Sequence, residues 1–513
     1  MSSSLIGKVL PCIILIVLCF VIGVQTAEDA KSSLVLLAAL IGAVFMLIAG
    51  RRSWMMLFLL PPVISVLPLP GGAQTINRAF LVAPCVLGYW FAMWTMGFVK
   101  IRWRALWVLD FFVFALVGLL VMAYIKKPVS VLALGLDFDN IGGKVYIIGL
   151  LGLVYYLAMS CIPVAYTQLC KVLNWTVWVT LVCVILTTVR GLVMGDAGGE
   201  EMTMAEGMTE NRFGAFSSLG RYIGLLLFAH FSLIRIAVNP LLLMGMLASF
   251  AAIALSGFRS AIAGLVISLT GMSIVKREFC LVLILGCFSY GVLLVLSAGG
   301  VTTSLPHGIQ RVLSAFPGIE VSRDVRADAE GSIEWRIVMW EWAMDPRTSY
   351  IKDYVWGDGF GISKVEMDRS LRAVIRGESY GGDQEHFAER GVWHNMNISA
   401  IQNVGYVGLT VMILFMSWLC WLVFRACFAV RGTPLAVPVL IFLGPYFAIY
   451  VMFPVAAGTM ESLYGYFSYA ALAKLVFCVA REEGFLVPMS RREKYVPRMI
   501  QEQEERIRIP DRV

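Results

Sequence analysis

Apolar runs of about 17 to 25 residues recur along most of this 513-residue chain, and they limit its fold more than any other feature. Each is long enough to cross about 30 Å of hydrocarbon as a helix. Inside hydrocarbon every backbone N–H and C=O must be paired within the structure itself, so an apolar run of this length is read as a helix. About fourteen runs lie near 6–24, 31–49, 54–70, 79–98, 105–123, 145–165, 172–194, 219–238, 240–257, 259–275, 279–297, 399–424, 433–454 and 460–480. The 54–70 run holds four prolines, and 240–275 reads either as a hairpin or as one interrupted segment. Composition agrees: 15% of residues are charged, against about a quarter in soluble domains. The sequence therefore predicts an all-α polytopic membrane protein with about 12–14 transmembrane helices and one long outer loop.

Orientation follows from Lys and Arg, which concentrate in cytoplasmic connections. Alternate connections carry Arg51 and Arg52, "KIRWR" (Lys100 to Arg104), Lys171, Arg235, Lys276 and Arg277, and Arg425 and Arg431; the opposite set is mixed or acidic, as in "GDAGGEEMTMAEGMTE". Both termini are then cytoplasmic and 298–398 faces outward. The first run resembles a signal peptide with a cleavage site near "VQTAED", but the apolar spans that follow at once favour an uncleaved helix. The chain divides into N-terminal membrane helices (1–194), a helical region with outer-leaflet arginines (195–297), the large loop (298–398), C-terminal membrane helices (399–480) and a basic tail (481–513). That tail suits anionic headgroups, and nothing in it signals nucleic acid. The eleven cysteines lie in or beside apolar runs and the large loop has none, so disulfides do not build it.

A hundred-residue loop is too long for a plain connector. Within it "GSIEWRIVMWEWAMD" reads as a helix from Gly331, with Ile333, Ile337, Trp340, Ala343 and Met344 recurring at three- and four-residue steps. Its aromatic content suits the headgroup boundary. "WGDGFGIS" reads as a glycine-rich turn region, and "MDRSLRAVIRGESYGGDQEHFAERG" as polar and partly mobile.

At the end of this loop stands "WHNMNISAIQNVGYVGL". His394 falls at the outer interface, just before the 399–424 run. Histidine alone changes charge near neutral pH without help, so one at a wet membrane boundary can accept a proton. Arg221, Arg259 and Arg336, with Arg212 and Arg190, fall near the same outer end, where charge bias predicts none. Guanidinium grips phosphate through paired donors, and the set suggests an anionic, membrane-embedded substrate. Glu461 is an available ion-pair partner for such arginines. His307 and His386 read as surface residues and His230 as a buried, hydrogen-bonded one. No metal motif is present; the pair Asp137 and Asp139 in "LDFDN" reads as a solvated loop. No cofactor is expected.

The order of motifs resembles the O-antigen ligase family, which also embraces O-antigen polymerases. His394 and Asn395 are followed by nine residues, Gly405, two more and Gly408, like that family's signature. "NRFGAFSSLGRYIGLLL", "ALSGFRSAIAGLVI" and "SIEWRIVMWEWAM" with "WGDGFG" are similar to its other stretches in the same order, across roughly 205–425. The chain departs at "SSLGRY", where the family has an Asn-Pro-Asn-like stretch, and fourteen runs exceed its usual twelve or so.

The resemblance implies a metal-independent glycosyltransferase of the bacterial inner membrane, its long loop periplasmic and containing short helices. The donor would be an undecaprenyl diphosphate-linked glycan and the acceptor a lipid A core or a glycan, among inner-membrane lipids. His394 would be the base, Asn395 would orient it, and Arg221, Arg259, Arg336 and more weakly Arg212 would hold the diphosphate. Gly405 and Gly408 would allow close packing beneath the loop. Ligase and polymerase remain alternatives. A polysaccharide exporter or flippase would explain the arginines but not the histidine, and an inactive scaffold for glycan assembly is a third reading.

Overall fold

The computed structural model describes residues 49–66, 82–129, 140–193, 214–347, 350–363, 393–454 and 465–485, with Met46 and Ser462 besides. The first two apolar runs lie outside these residues almost entirely, and so do Arg212, His386, Asp137, Asp139, Glu461, most of the acidic 195–218 segment and most of the basic tail. What is described is nearly all helix, and it is a helical membrane protein. Five helices are long and apolar enough to cross a bilayer, with several shorter apolar helices beside them.

In chain order these are α1 (Met56–Val66), α2 (Val82–Thr95), α3 (Trp107–Lys126), α4 (Lys144–Cys161), α5 (Tyr166–Val193), α6 (Gly214–His230), α7 (Leu233–Val238), α8 (Pro240–Leu255), α9 (Arg259–Lys276) and α10 (Phe279–Ala298). The loop contributes α11 (His307–Leu313) and α12 (Arg323–Met344), and the chain returns through α13 (Met396–Ala429), α14 (Ala436–Leu443), α15 (Pro445–Met452) and α16 (Phe467–Glu482). One short antiparallel pairing joins β1 (Asn140–Ile141) to β2 (Ile362–Ser363).

Several runs are interrupted where the sequence reads as continuous. The eighth ends at His230, and α7 restarts after Ser232, whose hydroxyl accepts from the Arg235 N–H. His230 is consequently exposed at a helix end rather than buried, although its Nδ1 does lie 3.0 Å from the Leu226 carbonyl. The 433–454 run breaks at Gly444 and Pro445, because proline lacks the donor that an internal turn needs. The 240–275 segment is a hairpin, since Gly257 at φ +72° turns the chain between α8 and α9.

The core has a polar anchor. Lys474 on α16 reaches Asp110 on α3 at 2.5 Å and lies 4.1 Å above the Trp103 ring. The Tyr156 hydroxyl on α4 donates to the same carboxylate oxygen, while the other oxygen accepts from the Leu106 N–H at 3.0 Å. Lys474 and Tyr156 are almost wholly enclosed. Such a cluster ties three helices together only because every charged atom has a partner.

The two ends of α3 separate two kinds of surface. Near its start, Arg104 pairs with Glu482 at 3.2 Å and donates to the Ile162 and Val164 carbonyls. Near its end, about 30 Å away for a helix of this length, Lys126 pairs with Asp353 of the long loop. The 100–104 basic connection and the loop thus occupy opposite ends of the bundle.

Candidate active site

The loop is more helical than its pattern suggests. α12 starts at Arg323 rather than Gly331, because Val325 buries against Leu313, Ile319 and Val321, and Ala329 a turn later is buried too. Arg311 of α11 holds Asp328 of α12 at 3.2 Å. The expected apolar stripe also splits. Met339 and Ala343 pack against Trp393 and Ile398, whereas Ile333 and Ile337 stand about half exposed.

The chain enters α13 through Trp393, which is fully buried and held from two sides. Its carbonyl accepts from Trp340 Nε1 and its own Nε1 donates to Gln402 Oε1, each at 2.7 Å. Next comes His394 at φ +50°, in the left-handed region. A non-glycine residue there costs roughly 1–2 kcal/mol, and histidine tolerates it better than most. Asn395 is extended, and its Oδ1 accepts from the Asn397 N–H at 2.9 Å, which makes it the helix N-cap. Its carbonyl oxygen is thus committed to the helix, a different task from the expected orientation of the imidazole.

The His394 ring meets Trp335 edge to face, with centroids 5.4 Å apart, and the Arg336 guanidinium lies 5.5 Å from that indole. Burial pushes the His394 pKa down to about 4, and the nearby Arg336 charge adds to the effect. Both causes penalise the imidazolium, so at neutral pH the ring is uncharged with a lone pair available. In the first turn of the helix that follows, Ser399 Oγ and Asn397 Oδ1 are buried and find no hydrogen-bond partner among the described residues.

The helix that follows is split. At Gly405 the backbone adopts φ 69° and ψ −176°, a region essentially confined to glycine. The loop fills the break: Asp358 and Gly359 donate to the Gln402 and Asn403 carbonyls, and the Tyr406 and Val407 amides donate to the Tyr354 and Val355 carbonyls at 2.8 and 3.2 Å. Groups that a helix break would orphan are thereby paired. Gly405 and Gly357 allow the contact, since a Cβ on either would overlap the facing backbone. Gly405 therefore meets the expectation of close packing beneath the loop. A Cβ on Gly408 would instead overlap the Val404 side chain in its own helix.

The arginines divide. Arg336 joins His394. Arg221 and Arg259 belong to the neighbouring layer, where Ser249 Oγ of α8 donates to the Gly220 carbonyl at 2.6 Å and sets Arg221 near the end of α8; Arg259 opens α9 just beyond the turn. Gly308 of α11 packs on that turn, so both lie at the end of the bundle that the loop covers. Arg221 is exposed, while Arg259 and Arg190 are half-buried. His307 is exposed near Asp324. Among the described residues no three His, Cys, Asp or Glu side chains gather as a metal site would need. Sequence reading missed Trp335, Gln402 and the loop residue Asp353. Lys126 and Lys127 had a visible signal, two lysines on the side where charge bias predicts none. No family model matches the chain, and no curated protein matches it.

Proposed function

We propose that this chain is a glycosyltransferase of the O-antigen ligase or polymerase type. It would move a glycan from an undecaprenyl diphosphate carrier to an acceptor hydroxyl at the periplasmic face of a bacterial inner membrane, without a metal. The observation that carries the reading is a neutral, half-buried histidine beside an arginine, at the loop-covered end of a helical membrane bundle. In the reaction, His394 Nδ1 or Nε2 takes the proton of the acceptor hydroxyl. The freed oxygen pair forms a bond to the anomeric carbon of the donor, and the bond from that carbon to the diphosphate oxygen breaks. Arg336 holds the departing charge, with Arg221 and Arg259 as further cations along that end; Arg212, the weaker candidate, lies outside the described residues.

A base with a pKa near 4 is weak at rest. An anion at Arg336 would offset the charge that disfavours the imidazolium, so donor binding strengthens the base when it is needed. The test is glycan transfer by purified protein from a lipid diphosphate donor with EDTA present, offering lipid A core and free repeat units as rival acceptors. Base assistance contributes typically about 10²–10⁴-fold, so His394→Ala should lose that much and Arg336→Ala should lose activity as well. The acid limb of kcat/KM should fall near pH 4 rather than 6.5. A wild type that transfers nothing yet moves the lipid-linked glycan across vesicle bilayers would refute the proposal.

A further inference from the structure

The loop that fills the break in α13 is itself gripped from behind. Asp353 shapes its turn, with Oδ1 accepting from the Val355 and Trp356 amides at 3.0 and 2.9 Å. The carboxylate of Asp358 accepts from the Lys352 and Asp353 amides at 2.9 Å each. Two lysines at the end of α3 then reach across. Lys126 Nζ lies 2.6 Å from Asp353 Oδ2 and donates to the Gly357 carbonyl at 3.0 Å, and Lys127 Nζ donates to the Gly361 carbonyl at 2.7 Å. Behind Gly361, β2 pairs with β1, and Phe360 meets Tyr146 of α4 edge to face at 5.6 Å.

From this loop to the imidazole the contacts are continuous. Asp358 N–H donates to the Gln402 carbonyl, Gln402 Oε1 accepts from Trp393 Nε1, and Trp393 is bonded directly to His394. The short segment from Met396 to Val404 has covalent continuity with the rest of α13 only through the irregular Gly405. Its tilt is therefore set by what sits in the break. A half-exposed ion pair contributes little to global stability, but here it sets the position of a wedge.

We propose that Lys126 and Asp353 are positioning residues for the His394 site: their ion pair holds the 353–359 loop in the break of α13, and the loop holds the segment that carries His394 against Trp335 and Arg336. The inference rests on the functional reading only for what the imidazole does once placed.

The chain has four histidines, so their ring resonances can be followed one by one. The full-length protein, carrying 13C-labelled histidine in lipid nanodiscs, is titrated from pH 3.5 to 8, with His394→Gln used to assign the peak. Lys126→Met keeps the aliphatic stem, and Asp353→Asn keeps the Oδ1 acceptor that shapes the turn. In each, the His394 midpoint should move from near 4 toward the ordinary 6.5, raising the protonated fraction at pH 6 about tenfold or more. Lys126→Arg should behave as wild type. Folded single variants whose midpoint stays near 4 would overturn the proposal. If Lys126→Met does not fold, Asp353→Asn alone decides. No substrate enters this measurement, so a wild type without glycan transfer would refute the functional reading and leave the positioning result standing.

Discussion

Gly405→Ala is the substitution that most directly tests how the loop and the broken helix are joined. A Cβ at Gly405 would stand 2.5 Å from the Trp356 nitrogen and closer still to the Val355 carbonyl. These are backbone atoms, so no side-chain rotation relieves the overlap. Two costs add. An alanine at φ 69° and ψ −176° pays roughly 1–3 kcal/mol for its backbone, and forcing a methyl group into a packed contact costs about 1–3 kcal/mol more. The sum is about 2–6 kcal/mol, unless the loop leaves the break, in which case four backbone hydrogen bonds are lost instead. Gly432 supplies the control, because its φ is +76° but nothing lies within 4 Å of its Cβ position. Gly432→Ala should cost only a backbone penalty, about 1–2 kcal/mol. Equilibrium unfolding of both variants in one detergent, with hydrogen exchange of the Tyr406 and Val407 amides, gives the comparison. Equal losses for the two alanines, with undiminished protection at Tyr406 and Val407, would refute the interlock.

Arg336→Gln removes the smaller of the two causes that hold the His394 pKa down, so its midpoint should rise to no more than about 5 while burial persists; a midpoint that does not move would show that the guanidinium exerts no field there. Because the folded pKa lies below the unfolded one, His394 favours folding fully above pH 6.5 and loses that contribution as pH falls from 6.5 toward 4. This amounts to roughly 2 kcal/mol by pH 5, and His394→Gln should flatten that part of the stability profile. Lys474→Met alone should destabilise by about 3–5 kcal/mol, since it leaves the enclosed Asp110 carboxyl group without its lysine. Adding Asp110→Leu should recover much of the loss in thermal unfolding, and a double variant no better than the single would argue against the pair.

Helix placement was legible because in hydrocarbon length and composition are sufficient, and periodicity need not be read. The described helices accordingly fall on twelve of the fourteen expected runs. The breaks were less legible. Pro445 announces one of them, but the α13 break is imposed by a loop some fifty residues upstream, and the sequence around Gly405 reads as one apolar run with small residues in it. Asp110 and Lys474 stand as opposite charges inside apolar runs, a sign of intramembrane polar structure that the sequence reading passed over. Their pairing was not legible, because 364 residues separate them.

At the candidate site, sequence reasoning singled out His394 and gave Asn395 the task of orienting it, and the helix cap that Asn395 forms was not foreseen. An asparagine directly before a helical run is a capping signal, and Asn395 Oδ1 does cap. That cap helps explain why His394 is held as it is. The capping residue has to be extended to present its Oδ1 to the first turn, and Trp393 is fixed by α12 on one side and Gln402 on the other. The single residue between these two constraints takes up the change of direction, hence its left-handed φ. The same geometry leaves the imidazole under Trp335 and beside Arg336, where burial and charge both keep it neutral. A glycine at 394 would relieve the backbone and remove the proposed base, so the turn alone gives no reason for a histidine there.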